Sequence, residues 1–370
     1  MNKFLYITDQ EEYKDHSFIG PLFEKYLNNH FEINIVYFSS FNTEFEIKDK
    51  NKLILPNKFR KNPLKELENN GFSLAHYDFV AIRNDTTILK EVLKEKIYYD
   101  FKLAFRLSFP KRIAKIQTDE ANKKVNYLDI INNKIKTFTE TSLINECDIF
   151  LPTSIQMKND YFKDVKTRTF VIPSAIDPDV LRENIQHEGE EKRFFYAGTL
   201  DKLREFETVL KAFNEIGNDK YKIMISSKDP EYTKNMIEKF SVIKDNIEIY
   251  SAKSKDELLE LIAKADIGLA PLPNIALFNS STPMKILDYY SSAVPCLMTK
   301  NENNSSIFKD DESAWLCDFT EDDIKEKLRY IISLSKEEVA QVGVNGQKRL
   351  LDVRNYERIA ADFAHQLNIL

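Results

Sequence analysis

The segment SSTPMKILDYYSSAVP, residues 280–295, joins a helix-start signal to a cation and an acid. Thr282 is a good N-cap and Pro283 fits the first helical position, so the spacing predicts a helix running through Met284, Ile286, Leu287 and Tyr290. Lys285 then falls in the first turn, where the positive end of the helix dipole disfavours a cation. An anion at that helix end removes the conflict, because free backbone N–H groups suit a phosphate and Lys285 adds a point charge. Asp288 lies three residues on and on the same face, where it can accept hydrogen bonds from the ribose hydroxyls of a nucleotide held by its phosphates. The plainer alternative for Lys285 and Asp288 is an i,i+3 surface ion pair worth roughly a few tenths of a kcal/mol.

A second segment, FFYAGTLDKLREFETVLKAF at 194–213, reads as a strand, a small-residue turn and a helix. Gly198 and Thr199 close the strand and let a ligand approach the backbone, while Lys202 and Arg204 stand just before the helix. Arginine suits bidentate contact with a diphosphate. A βα turn carrying two solvated cations is the alternative. A dinucleotide fingerprint is ruled out here, because that motif needs three glycines and this turn has one.

The elements that must position these residues follow an α/β pattern: short β-like runs alternate with amphipathic helical stretches through both halves. Strands are expected at 3–8, 33–38, 78–83, 102–107, 148–153 and 168–173, then at 193–198, 221–226, 247–250, 266–271, 294–298 and 314–317. Phe206, Val209, Leu210, Phe213 and Ile216 form one helical stripe, with Gly217 as its C-cap. A chain of 370 residues implies two domains, and the periodic pattern breaks between Pro173 and Glu191. The expected organisation is an N-terminal Rossmann-like domain at 1–173, a second at 174–352, and a C-terminal helix at 353–370 that crosses back to the first. Ligands are expected at the carboxyl ends of the strands.

The two segments, in this order, resemble the donor-binding half of glycosyltransferase family 4, whose members have the GT-B fold of two Rossmann-like domains with a cleft between them. Tyr196, Gly198, Thr199, Leu200 and Arg204 carry one motif, and Ser281, Pro283, Lys285, Asp288, Tyr289 and Pro295 the other. VIPSAIDPDVL at 171–181 resembles the family's exit from the interdomain linker, and 251–272 the segment whose first loop packs on the nucleotide base. The resemblance implies a transferase acting on a UDP- or GDP-sugar. That donor is a substrate and not a cofactor, no metal is needed, and anomeric configuration is retained. Arg204 and Lys285 would neutralise the leaving diphosphate. Gly198, Thr199, Lys202, Ser280, Ser281 and Thr282 would line the donor, Asp288 would hold the ribose, and Ala252 and Lys253 would lie beside the base. The family's first acid falls on Ser280, its glycine after Arg204 is Glu205, and Val294, with Ala293 ahead of it, stands where a glycine precedes Pro295. An epimerase of the same fold and a non-catalytic nucleotide-binding subunit are the rival readings.

In the N-terminal half His16, Gly20 and Arg106 are the candidates for an acceptor or cleft contact, with Ser108 beside Arg106. The acceptor is expected to be a glycan, a lipid-linked sugar or a polysaccharide. A formal charge of −6 argues against a nucleic-acid partner. Residues 101–136 nevertheless hold nine Lys or Arg against three acids, which fits either a solvated helical face or contact with an anionic membrane. With no leader, no apolar run of about 18 residues and three scattered cysteines, the expected location is cytoplasmic, peripheral at the inner face of the plasma membrane. Asp177-Pro178-Asp179 matches a metal–diphosphate DxD motif in letters, but its proline and position read as a turn.

Overall fold

A computed structural model describes residues 1–11, 19–121, 124–185, 189–217 and 220–370. The chain divides into two units, Met1–Pro173 with Tyr356–Leu370, and Ser174–Asn355.

In the first unit β1 (Lys3–Ile7), β2 (Glu32–Ser39), β3 (Glu46–Lys48), β4 (Lys52–Pro56), β5 (Phe79–Arg83), β6 (Lys102–Leu107) and β7 (Ile149–Pro152) pair in the order β3-β4-β2-β1-β5-β6-β7. Every pairing is parallel except β3 with β4. Phe4, Leu5, Tyr6 and Ile7 are all fully buried, so β1 is apolar on both faces, as a parallel strand covered by helices on each side must be. The connecting helices are α1 (Pro63–Asn69), α2 (Thr86–Glu95), α3 (Lys111–Ala121), α4 (Tyr127–Asn145) and α5 (Ile155–Tyr161), with a π-helical segment Gly20–Tyr26 between β1 and β2.

The second unit carries β8 (Lys192–Ala197), β9 (Tyr221–Ser226), β10 (Ile247–Tyr250), β11 (Ile267–Ala270), β12 (Cys296–Thr299) and β13 (Trp315–Cys317), all parallel, in the order β10-β9-β8-β11-β12-β13. Its helices are α6 (Glu207–Ile216), α7 (Pro230–Ile237), α8 (Lys255–Ala263), α9 (Ala276–Asn279), α10 (Met284–Ser291), α11 (Glu302–Ile307), α12 (Glu321–Ser333) and α13 (Lys336–Val353). The last helix, α14 (Tyr356–Asn368), packs in the first unit, where Phe363 meets Phe4 edge-on and stacks on Phe170.

In both sheets the chain order reverses beside the first strand laid down: between β1 and β5 in one, between β8 and β11 in the other. The helices leaving two such strands go to opposite faces, which opens a crevice at the strands' carboxyl ends.

All six strands expected in the second half form, as do five of the six in the first. The exception is 168–173, which runs along β7 with a single bridge, Phe150 to Thr169. Its hydrogen bonds from Phe170 N to Phe150 O (3.0 Å) and Ile172 N to Pro152 O (3.0 Å) are too few to build a strand before the chain leaves β7. The antiparallel β3–β4 hairpin is a further departure. It turns through Asp49 and Lys50 at φ of 52° and 68°, and Lys52 is anchored between Glu24 and Asp49 at 3.2 and 3.0 Å.

Candidate functional site

The crevice between β8 and β11 is spanned by one side chain. Tyr289 on α10 is fully buried, and its hydroxyl donates to Leu269 O on β11 (3.2 Å) while accepting from the Ala197 N–H at the end of β8 (3.1 Å). Gly268 is required by this packing, because a Cβ there would stand 2.2 Å from the Tyr289 ring. Tyr290 fixes the other side of α10, donating to Ser313 O at 2.6 Å and accepting from Cys296 N–H at 3.3 Å. Helix α10 is therefore tied to the end of β8.

What that brings together is Lys285 and Gly198. Gly198 has φ of 137°, a backbone region essentially reserved for glycine, and a Cβ at this position would lie 3.1 Å from Lys285 Nζ. Lys285 as a residue is partly exposed, but its Nζ is buried, has no hydrogen-bond partner among the described residues, and lies 3.8 Å from the centroid of the Tyr196 ring. Tyr196 is itself braced by Phe206, with ring centroids 3.9 Å apart, and by its hydroxyl donating to Thr199 O at 3.1 Å. Burial, reinforced by the nearby Arg204 charge, pushes the Lys285 ammonium down to about 7. A ring face compensates a buried cation only in part, so an unpaired ammonium here is a demand for an anion.

Arg204 sits in the same loop. Its guanidinium and its backbone N–H both bond Asp201, the latter at 2.9 Å, and its Cζ lies 5.7 Å from the Phe278 ring centroid. The next residue, Glu205, adopts φ of 48°, the left-handed conformation that explains a glycine in the motif it resembles. The corresponding left-handed residue before Pro295 is Ala293, at φ of 53°, and not Val294. Gly198, Thr199 and Lys202 are exposed around this loop.

Other expected residues fall differently. Thr282 does not cap α10: the residue before the helix is Pro283, with no side-chain cap, and the Thr282 hydroxyl is engaged by the Asn303 amide at 2.9 Å. The first turn of α10 thus keeps its N–H groups uncapped by any side chain. Asp288 makes no i,i+3 pair with Lys285. It bonds Lys255 at the start of α8 at 2.5 Å, and burial raises its carboxyl even so. Ser280 is turned inward, fully buried, with its hydroxyl on Leu277 O at 3.2 Å, because it closes the short helix α9. Ser281 stays partly exposed beside Thr282. Ala252 and Lys253 occupy the loop between β10 and α8, where the Lys253 N–H is held by Glu257 at 2.7 Å and its side chain is exposed.

In the first unit the crevice between β1 and β5 holds a cluster that no sequence motif announced. Asp9 follows β1 and bonds both Arg83 and Lys111; Asn84, at φ of 57°, reaches Asp9 at 3.4 Å and Ser108 Oγ at 2.9 Å. Arg60 adds a bond to Asp9 O at 3.2 Å. Burial alone would raise the Asp9 carboxyl, but Arg83 and Lys111 outweigh it and hold it below the usual range. Position just past the first strand was the one signal available for Asp9. Arg106, expected to face the crevice, is buried instead, donating to Leu151 O at 2.9 Å, and burial pushes it down to about 9. Gly20 opens the π-helical segment, and His16 lies outside the described residues.

Asp177-Pro178-Asp179 forms a tight helical turn in which Asp177 accepts from the Asp179 N–H at 3.1 Å. Among the described residues no group of three or more His, Cys, Asp or Glu is placed to hold a metal ion. The three cysteines are buried and unpaired. A concavity of about 580 Å³ lies between α11 and α13, lined by Ser305, Lys309, Asn345 and Arg349 among others. None of the motif residues lines it, and the chemistry stays with Lys285.

Residues 177–349 match the family model "Glycosyl transferases group 1", which spans all of the α10 and β8 site. No curated protein sequence matches the chain. Among solved structures, sucrose-phosphate synthase from Thermosynechococcus elongatus superposes with a TM-score of 0.73 at 10% identity, covering 99% of this chain and 98% of that one. Anabaena Alr3699/HepE in complex with UDP and glucose gives 0.69 at 11% identity, covering 100% of both. A UDP-forming trehalose-phosphate synthase from Burkholderia xenovorans gives 0.68 at 10% identity, covering 100% of this chain and 99% of that one. Residues 177–349 are therefore a group 1 glycosyl transferase domain, carried in a chain of GT-B fold, and the chain is a glycosyltransferase.

Proposed function

We propose that the chain transfers a hexosyl group from a UDP- or GDP-sugar to a glycan, lipid-linked or polysaccharide acceptor, with retention and without a metal. The observation that carries this reading is the buried Lys285 ammonium, unpaired and packed beside the exposed Gly198 at the start of an uncapped helix. A diphosphate over Gly198 would draw Lys285 off the Tyr196 face, accept hydrogen bonds from the uncapped N–H groups of α10 and meet Arg204 from the loop that carries Gly198. As the glycosidic bond breaks, charge grows on that diphosphate, and two fixed cations stabilise it without a metal. Asp288, fixed by Lys255, is available to the ribose, and Ala252 and Lys253 to the base. The UDP bound in the Anabaena structure supports a uridine donor, as does the UDP-forming synthase.

In this reading the Asp9 cluster belongs to the acceptor side, and the protein works in the cytoplasm at the membrane face. The test is a melting screen against UDP, GDP, ADP and CMP, followed by incubation of the stabilising nucleotide's sugars with and without acceptors. The expected result is a raised melting midpoint with one nucleoside diphosphate, since a ligand selective for the folded state stabilises it, and transfer that depends on an acceptor. A flat screen, or an epimerised donor formed without acceptor, overturns the proposal.

A further inference from the structure

Helix α4 is built with its polarity reversed. Its inward side is polar: Arg112 of α3 bonds Asn133 O (3.1 Å), Thr137 Oγ1 (2.9 Å) and Glu140 (3.2 and 2.5 Å), and only near its end do Thr141 and Ile144 become buried. The opposite side is apolar and faces solvent. Tyr127, Leu128, Ile131, Ile135 and Phe138 are 75, 67, 36, 59 and 77% exposed. At about 100° per residue these five fall within one stripe of roughly 100° width. Single exposed apolar residues are ordinary, but a contiguous row of five large ones is an interaction surface.

Charge identifies what the stripe meets. Lys134 and Lys136 flank it on α4, and Lys115 and Lys124 are exposed on the preceding segment. They belong to the stretch 101–136, with nine cations against three acids in a chain whose total charge is −6. An apolar stripe bordered by lysines is the pattern of a helix lying in a lipid interface, its side chains entering the acyl boundary while the ammonium groups meet anionic head groups. We infer that α4 is an in-plane docking helix for an anionic lipid surface, with Tyr127, Ile131, Ile135 and Phe138 as the inserted residues. The inference rests on the membrane location proposed above and is independent of the donor chemistry.

The test uses the full chain floated with vesicles of phosphatidylcholine alone and of phosphatidylcholine mixed with phosphatidylglycerol. The expected result is binding to the mixed vesicles, weakened by salt but not abolished, and lowered at least about tenfold by the triple variant Ile131→Ser, Ile135→Ser, Phe138→Ser. A second variant, Lys134→Glu with Lys136→Glu, keeps the apolar stripe and is expected to lose the preference for phosphatidylglycerol. The UDP-induced melting shift should be the same in all three proteins, which separates failure of the docking helix from failure of the donor site. Binding that is equal in wild type and both variants, or absent from the mixed vesicles, overturns the inference. So does sedimentation velocity showing a dimer that only the triple variant loses, which would assign the stripe to a second copy of the chain.

Discussion

The two crevices occupy equivalent places in their sheets, yet they handle charge in opposite ways. At the end of β1 the carboxylate of Asp9 is enclosed by Arg83, Lys111 and Asn84, so the charges there answer one another. At the end of β8 the Lys285 ammonium has a ring face and a second cation, Arg204, for company, and no partner oxygen among the described residues. A self-compensated crevice is stable empty and recognises a ligand by shape and hydrogen bonds. An uncompensated one holds a buried cation at a cost in folding stability, and recognises an anion by its charge.

The sharpest way to break this contrast is to remove one charge from each. Asp9→Ala leaves the mostly buried Arg83 unanswered and is expected to destabilise the first unit by about 3 kcal/mol, read as a lower urea midpoint at unchanged slope. Because the Asp9 carboxyl is held below its ordinary range, its contribution is present above an unfolded value of about 3.9 and fades as pH falls through the folded one, so wild type and variant should converge in acid. Lys285→Met should do the reverse, leaving the fold as stable as before or more so. If both substitutions destabilise alike, the distinction between the crevices is wrong.

Activity gives the next largest effect. Lys285→Ala and Arg204→Ala are each expected to lower turnover by about two orders of magnitude, as for loss of a positioned charge at a leaving group. Unchanged steady-state transfer in either variant would remove that residue from the mechanism. Proton linkage sharpens the point. With the free ammonium lowered to about 7, Lys285 is largely neutral at pH 8, and a bound diphosphate should recharge it. Calorimetry in buffers of different ionisation enthalpy should show uptake approaching one proton, with affinity falling toward tenfold per pH unit above about 7 and levelling below it. Lys285→Ala should abolish the uptake.

The smallest effect concerns backbone. Ala293 holds a left-handed conformation that glycine adopts without penalty, so Ala293→Gly is expected to stabilise the second unit by roughly 0.5–1 kcal/mol. No gain in a thermal melt would mean that the methyl group there is itself packed to advantage.

Much of this was legible in sequence, for physical reasons. The strands of the second sheet are short, mostly apolar runs, and each forms where its run lies. The β3–β4 hairpin escaped because Glu46–Lys48 is only three residues long and exposed, and Lys52–Pro56 is a run of five that ends in proline. The convergence of Gly198 and Lys285 could be expected from helix-start chemistry. Its details could not, because they depend on partners distant in sequence. Asn303 takes the Thr282 hydroxyl away from the cap, and Lys255 takes Asp288 away from Lys285. Asp201, three residues before Arg204, was within reach of an i,i+3 reading. Arg106 misled because its strand position is right while its side chain turns into the protein.

The Tyr289 hydroxyl joins the ends of two neighbouring strands to the helix that offers Lys285. Such a bridge leaves no hinge at which the anion seat could loosen while the sheet survives. Recognition of the diphosphate is then as cooperative as the melting of the domain itself: warming should erase both over one interval of temperature, and substitutions that soften the sheet far from the seat should weaken affinity in step.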